Sequence, residues 1–421
     1  MIRRAYQAIL LTAAFAAVSS ANSVLGSLYP LGMPVQPRSG MALSMGHTWI
    51  AVADEENTML GNPANLGNVD RTVFSGVISW DFLNIHQDDA SSHHLAVFPK
   101  QFSLAFPLAK AGAIAFAFER PNDATVKYRI TQRGGTAGLE TVDSLQLGRS
   151  RNGGVTAWRA GWGMPIGKFA RVGLGYAREY LTIDDTRIST VFGREFDVST
   201  DGFWRKYRYD ERDSSGYSGG GNALRGGVMV TVPKFPLTVG VTGEYHLQQD
   251  MTRISKSFAG GDTVLSSSEV TAKVQLPPSL GIGLSYKLGD KVLLAADYSM
   301  VMWNRFHTGG ILSEPTLDYM NGISIGGQLI PAPALLAPKY WETIRYRAGF
   351  RINQLPAKDN REWAFTLGAG LPFKAAGVAN VVLEYGQRTD KNYSNYHEDF
   401  LSFSLGIAAG RKWAKSSAGS Y

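Results

Sequence analysis

Apolar and polar residues change places at every second position through segment after segment of this chain. In Leu237–Gln248 one face carries Leu237, Val239, Val241, Tyr245 and Leu247, and the other Thr238, Thr242, Glu244, His246 and Gln248. Ser279–Leu288, Glu342–Ile352, Val378–Arg388 and the run from Leu401 to Ile407 repeat the pattern. A period of two is the signature of β-strands with two unlike faces. A soluble sandwich alternates in the same way. Two features favour a membrane barrel, whose strands face lipid on one side and a lumen on the other. The polar faces are rich in glycine, which suits a filled interior. Tyrosine and tryptophan sit near the ends of the alternating runs, at Trp80, Trp158, Tyr176, Tyr180, Tyr298, Trp303, Trp363 and Trp413, as interfacial girdles require.

The N-terminus reads as an export signal. Arg3 and Arg4 precede an apolar run from Ala8 to Val18, and Ser19 and Ala21 are small residues at the spacing of a cleavage site. The run is shorter than the roughly 20 residues a helix needs to span a bilayer, so cleavage after Ala21 is expected. No later stretch is apolar enough to be a membrane helix. The chain has no cysteine, so it is neither a lipoprotein nor disulfide-bonded. The net charge is +7. The basic residues are scattered, and an exported chain rarely meets nucleic acid, so no nucleic-acid partner is expected.

Tight turns are expected at Ala109–Gly112, Gly167–Ala170, Pro233–Pro236, Leu288–Lys291 and Lys374–Val378, with a sixth within Pro331–Lys339. Six short connections imply 14 strands; the weakest strand, Tyr319–Leu329, leaves 12 as the alternative. The remaining connections read as long polar loops: 84–93, 132–154, 185–221, 252–268, 306–318, 354–361 and 389–399. Short turns on one side and long loops on the other is the asymmetry of outer-membrane barrels. The expected organisation is a signal peptide at 1–21, a luminal segment at 22–70, the barrel at 71–413 and a tail at 414–421.

No catalytic constellation emerges, and no enzyme activity, cofactor or metal is expected. Gly216–Gly220 matches the GxSxG nucleophile motif, but it lies in a Gly/Ser-rich stretch that reads as loop, without the strand and helix the motif needs. His86, His93 and His94 cluster with Asp88 and Asp89 at no defined metal-site spacing, and read as a solvated loop. Inward charges are the richer signal. Arg345, Arg347 and Arg351 share one face of a strand, and Glu244, Glu384, Glu179 and Asp297 point inward from others. Buried charges must be paired, so an internal brace is the plain reading. The alternative is that Arg345, Arg347 or Arg351, with Glu244 and Glu384 nearby, contacts a ligand, an arginine receiving a carboxylate.

Between the signal and the first strand, Gly40–Gly67 is not strand-like. Its elements Gly40, Ala42, Met45–Gly46, Ala51, Ala53–Asp54, Asn57, Asn62–Pro63–Ala64 and Leu66 resemble the N-terminal segment of the FadL/TodX family of outer-membrane transport proteins. Leu276–Phe306 and the C-terminal runs YRAGFRINQLP, EWAFTLGAGLPF, VVLEYGQR and FLSFSLGIAAGRKW are similar to the same family. Residues 85–160 and 185–230 carry little of the likeness. Asn65 and His47 stand where the family favours glycine. The resemblance implies a 14-stranded all-β transmembrane barrel whose lumen is plugged by an N-terminal hatch of short helices. The hatch residues would include Gly40, Met45, Gly46, Asp54, Asn62, Pro63 and Ala64. A barrel this wide needs a filling if it is not to be an aqueous hole. Pro34, Pro37 and Pro63 forbid one continuous helix there. Met41, Leu43, Met45 and Trp49 are expected to pack within the lumen.

The expected function is passive uptake of small hydrophobic molecules, long-chain fatty acids or aromatic hydrocarbons, across the outer membrane of a Gram-negative cell. The alternative is a non-transporting scaffold or shuttle barrel of a secretion system. A general porin would have no need of a hatch. Expected partners are outer-membrane lipids and lipopolysaccharide, the hydrophobic ligand, and the barrel assembly machinery.

Overall fold

The alternating segments pair with their chain neighbours, all antiparallel, and close into a 14-stranded barrel. The computed structural model describes residues 23–35, 38–53, 61–87, 90–108, 111–133, 136–137, 140–197, 203–260, 263–312, 316–333, 338–373, 377–392 and 395–411. The expected signal peptide and C-terminal tail therefore lie outside the described residues. The strands are β1 Thr72–Gln87, β2 Ala90–Pro107, β3 in three pieces (Ala113–Asp123, Val126–Arg133, Thr136–Ala137), β4 Glu140–Ile166, β5 Ala170–Asp197 and β6 Phe203–Thr231. They continue as β7 (Leu237–His246, Gln249–Ala259), β8 (Thr263–Val274, Ser279–Leu288), β9 Val292–Met302, β10 Tyr319–Leu329, β11 Arg345–Gln354, β12 Asn360–Phe373, β13 Gly377–Asp390 and β14 Tyr396–Arg411. β14 pairs with β1 along its whole length, so the barrel has no open edge at the membrane.

The side chains sort by parity. Val241 is 46 % exposed on the outer face and Thr242 is 7 % exposed on the inner one. Phe82, Leu174, Leu280, Ile323, Leu367 and Leu401 are exposed on the same outer face of other strands. This apolar belt is what lipid solvates, and it places the barrel in the outer membrane. Inside, the buried polar residues include Ser79, Ser404, Glu119, Arg159, Glu384 and Arg351.

The turns expected at Gly167–Ala170, Pro233–Pro236 and Leu288–Lys291 fall between strands, and Tyr319–Leu329 is a full strand. Those at Ala109–Gly112, Pro331–Lys339 and Lys374–Val378 lie partly outside the described residues, and the β10–β11 connection is longer than a tight turn, with a short helix at Tyr340–Thr343 before β11. The long connections are corrected. Most are not loops: β4, β5 and β6 run for 27, 28 and 29 residues. A tilted strand crosses a membrane in about 9–11 residues. The rest of each strand projects beyond it. The projections of β3 to β8 form a six-stranded sheet on the long-hairpin side, with Val126–Arg133 of β3 at one edge and Thr263–Val274 of β8 at the other. The residues between 84 and 93, apart from 88–89, are likewise strand. Outside lipid both faces of a sheet are wet, so apolar–polar alternation fades and strand reads as polar loop. The described residues of the stretch 303–318 form no strand beyond the single His307↔Gln275 bridge, and they fold inward, so Trp303 is 3 % exposed and belongs to the interior instead of a girdle.

The described residues of the segment 23–69 (23–35, 38–53 and 61–69) lie inside the barrel. They form a 3-10 turn at Leu25–Leu28, a two-residue bridge at Met33–Pro34, helix α1 at Gly40–Ser44 and a 3-10 segment at Pro63–Asn68. Ser39 caps α1 by accepting from the Ala42 amide at 3.3 Å. Pro63 opens the last segment, where its missing N–H costs nothing.

Candidate functional site

The lumen is closed at two levels. Near the short-turn side the N-terminal segment is seated on glycines of the wall. A Cβ on Gly326 or Gly349 would overlap the backbone of Met45 and Gly46, and one on Gly240 or Gly283 would overlap Ile50 and Ala51. Gly163, Gly173 and Gly227 leave the same space for Asn62 and Pro63. Inward glycines thus let backbone lie on backbone around the ring. Hydrogen bonds fix the register. The Gly46 amide donates to Thr366 Oγ1 at 2.8 Å, Ser285 Oγ donates to Ala51 O at 2.8 Å, and Thr242 Oγ1 donates to Gly61 O at 3.0 Å. Asp297 Oδ2 accepts from the amides of Trp49 and Ile50 at 2.6 and 3.0 Å. Both amides go to Oδ2, and Oδ1 is buried without a hydrogen-bond partner.

At the long-hairpin side the seal is apolar. Tyr29, Leu31 and Met33 pack with Trp303, Ile311 and Leu312 from the β9–β10 connection, and with Val155, Leu181 and Ile183 from the wall. Two anchors hold the first described residues there. Ser23 Oγ donates to Glu398 Oε2 at 2.5 Å and the Leu25 amide to Oε1 at 3.1 Å. Arg149 Nη1 and Arg151 Nη1 donate to the carbonyls of Ser27 and Tyr29.

Between the two levels stand two ionic clusters. On one wall Arg351 bridges Glu362 and Glu384, Glu384 also meets His47 Nε2 at 2.9 Å, and Arg388 joins Glu362 at 2.7 Å and Glu398 at 3.6 Å. On the facing wall Arg159 bridges Glu119 and Glu244, Arg225 joins Glu244 at 2.5 Å, and His246 Nδ1 meets Glu179 at 2.9 Å. Each cluster holds two arginines, three glutamates and one histidine. In each cluster two guanidiniums face three carboxylates, so the opposite charges pair with one another and one carboxylate charge is balanced only when the histidine is protonated.

A cavity of about 180 Å³ lies beside the second cluster, roofed by Leu31, Val155, Leu276, Trp303 and Met320. Trp49 enters it from below, with the Arg38 guanidinium over its ring at 4.4 Å. A smaller cavity of about 80 Å³ lies beside the first. The larger one abuts a break in the wall. β3 pairs with β2 from Pro107↔Ala113 up to Gln101↔Glu119, and its register with β4 slips between Glu119 and Asn122. There Asn122 and Asp123 pair with the luminal Pro34 and Met33 instead. Among the described residues, 90–99 of β2 pair with β1 alone, and Val126–Arg133 pairs with β4 alone. The wall between β2 and β3 is therefore open above Glu119, beside the cavity lining residues Pro121 and Asn122.

The expected luminal residues fall as follows. Gly40 starts α1 against the Asn380 side chain, Met45 is fully buried, and Gly46 has φ +65° against the β10 and β11 backbones. Asn62 donates to Ile50 O at 2.8 Å and accepts from the Ala64 amide at 3.1 Å; Pro63 and Ala64 are buried. Asp54 lies outside the described residues. His47, one of the departures, adopts φ +68°, the region its glycine counterpart would favour, and its ring turns to Glu384. Arg351, Glu244 and Glu384 are all committed to ion pairs; Arg347 donates to Gln328 Oε1 at 2.7 Å and Asn380 Oδ1 at 2.5 Å, and Arg345 is half-buried at the short-turn end of β11. Arg159, Glu119, Glu362 and Arg38 were missed. Inward parity on alternating strands was a signal for the first three. Gly216–Gly220 lies inside β6, so its Ser218 sits on a continuous strand, in neither a loop nor an elbow.

Known structures share this architecture. A Pseudomonas aeruginosa FadL homologue superposes with TM-score 0.63 at 11% identity, covering 90% of this chain and 99% of its own. The Ralstonia pickettii toluene transporter TbuX gives 0.55 at 16% identity, with 90% and 98% covered. The CymD monoaromatic hydrocarbon channel gives 0.57 at 14%, with 89% and 98% covered. At these identities the likeness establishes the fold, a FadL-like outer-membrane barrel. No curated protein sequence matches the chain. One family model does, over residues 1–417, and the chain with its plugged lumen and broken β3 belongs to the family it describes, BamG.

Proposed function

We propose that this barrel binds a small apolar molecule in the cavity beneath the Leu31–Trp303 roof and passes it sideways through the opening between β2 and β3. After loss of residues 1–21, residues 22–70 act as the hatch that keeps the barrel from being an open pore. The observation that carries the reading is the meeting of a mostly apolar cavity with a break in the barrel wall. An apolar solute gains nothing from an aqueous exit, whereas a lateral one delivers it to lipid. A dry cavity of about 150 Å³ is enough for benzene. The volume of about 180 Å³ therefore favours a one-ring hydrocarbon over a long-chain fatty acid. The structurally similar toluene transporter TbuX and monoaromatic hydrocarbon channel CymD support the same choice. No chemical step is part of this reading, and Arg351, Glu244 and Glu384 serve as braces, Arg351 being paired with Glu362 and Glu384, and Glu244 with Arg159 and Arg225.

The test is equilibrium dialysis of radiolabelled toluene against the detergent-solubilised barrel. Saturable binding, lost in Val155→Trp and weaker for hexadecanoate, is expected. Equal retention by Val155→Trp would mean that the toluene dissolves in detergent and that the cavity is not its site.

A second reading, a non-transporting scaffold for a protein partner, draws on the projecting six-stranded sheet. Its β3 and β8 edges are unpaired among the described residues, and such edges accept a further strand. Shortening the β3–β4 and β7–β8 hairpins so that both edges are removed would then abolish partner capture and leave toluene binding unchanged.

A further inference from the structure

One of the histidines that showed no metal spacing along the sequence, His86, gains partners across the closing seam of the barrel. His86 on β1 and His397 on β14 are direct cross-strand partners. Their rings stack with centroids 4.7 Å apart and planes 18° from parallel. Asp399, two residues along β14 on the same face, places Oδ2 3.9 Å from His86 Nε2 and 3.6 Å from His397 Nε2. Its other oxygen, Oδ1, accepts from Gln387 Nε2 at 2.9 Å, which turns Oδ2 toward the two imidazoles. We propose that His86, His397 and Asp399 form a surface site for a divalent transition-metal ion of the zinc, nickel and copper class.

The geometry is near that of a filled site. Ligand bonds of about 2.0–2.2 Å in a tetrahedron set donor atoms about 3.3–3.6 Å apart, so modest side-chain rotation closes the present triangle. Imidazole with a single carboxylate suits zinc, copper and nickel, whereas calcium and magnesium prefer oxygen alone. Three protein donors leave a position for water or for a ligand from outside. Gln387 supplies the outer hydrogen bond that orients a coordinating carboxylate. The site faces out of the barrel, four residues beyond the lipid-exposed Phe82 on β1 and Leu401 on β14, so it stands above the apolar belt and is half-buried and reachable. The other comparable group, Glu179, Glu244 and His246, differs in kind. Arg159 and Arg225 already occupy Glu244 there, and a cation would have to displace them.

The experiment is calorimetric titration of ZnCl2 and NiCl2 into the metal-stripped, untagged full-length barrel in detergent, with Cu2+ electron paramagnetic resonance as a second readout. One high-affinity equivalent and a spectrum split by two nitrogens are expected. Gln387→Ala should weaken binding about 10–100-fold, as loss of an outer partner does, and His86→Ala or His397→Ala by more. His93→Ala, whose ring is engaged by Asn84 at 2.7 Å, should bind as the parent does. All variants are on the outer rim, and unheated gel migration verifies that the barrel is folded. Absence of the equivalent in the parent, its survival in His86→Ala/His397→Ala, or an equal loss in His93→Ala would overturn the assignment.

Discussion

Near the short turns, the N-terminal segment meets the wall backbone to backbone, over Gly240, Gly283, Gly326 and Gly349. Toward the long hairpins the same segment meets the wall side chain to side chain, through Tyr29, Leu31, Trp303 and Ile311. The first contact tolerates no added atom, and the second loses packing when an atom is removed. A seal of glycine and hydrogen bonds has one seating. An apolar cap can repack around a guest, and the cavity lies under the cap. The difference assigns blocking to the floor and ligand access to the cap.

The largest expected effect breaks the tie between floor and wall. Glu384→Met leaves His47 and one side of the Arg351 guanidinium without a partner, and loss of one member of a buried pair costs about 3–5 kcal/mol. Urea unfolding in phospholipid vesicles measures it, and the N-terminal segment should become protease-sensitive first. Next comes the frame on which both levels depend. Val241→Arg puts a charge into lipid at a cost of about 2–4 kcal/mol, whereas Thr242→Arg enters the lumen two residues from Glu244 and should cost clearly less in the same assay. The reverse order would shift every strand face by one residue.

Two single-methyl changes then separate floor from cap. Gly349→Ala pushes a Cβ into Gly46, and overpacking of this kind costs about 1–3 kcal/mol. It should raise ion conductance in planar bilayers by loosening the seat. Ile311→Val removes one methylene at the cap, worth about 0.5–1.5 kcal/mol. It should leave conductance at the parental level. Equal conductance in the two variants would erase the distinction between the levels.

The barrel was legible wherever lipid and lumen impose opposite demands on adjacent residues. Leu280, Ile282 and Leu284 alternate with glycine and serine, and their strand is where the pattern places it. The pattern ends where lipid ends. From Lys206 to Gly220, β6 is charged, then serine- and glycine-rich, because water bathes both faces, and the stretch reads as loop although it is strand. Trp303 looked like a girdle residue since tryptophan near a strand end fits both a membrane interface and an inward fold. The glycines of the polar faces pointed to a filled lumen, but not to what each would touch. Asp297 looked like half of an ion pair; its partners are two backbone amides, which no residue type announces. The histidine–aspartate triangle depends on β14 closing onto β1, a contact between residues more than three hundred positions apart.

A closed lumen requires the N-terminal segment between residues 23 and 69 to fill the barrel instead of lying outside it. Single-channel recording on a barrel lacking Gly40–Asn65 tests this directly, with folding verified by unheated gel migration. An open channel with a steady, ion-conducting current, absent from the parent, is the predicted result. A folded deletion variant that conducts no more than the parent would contradict it.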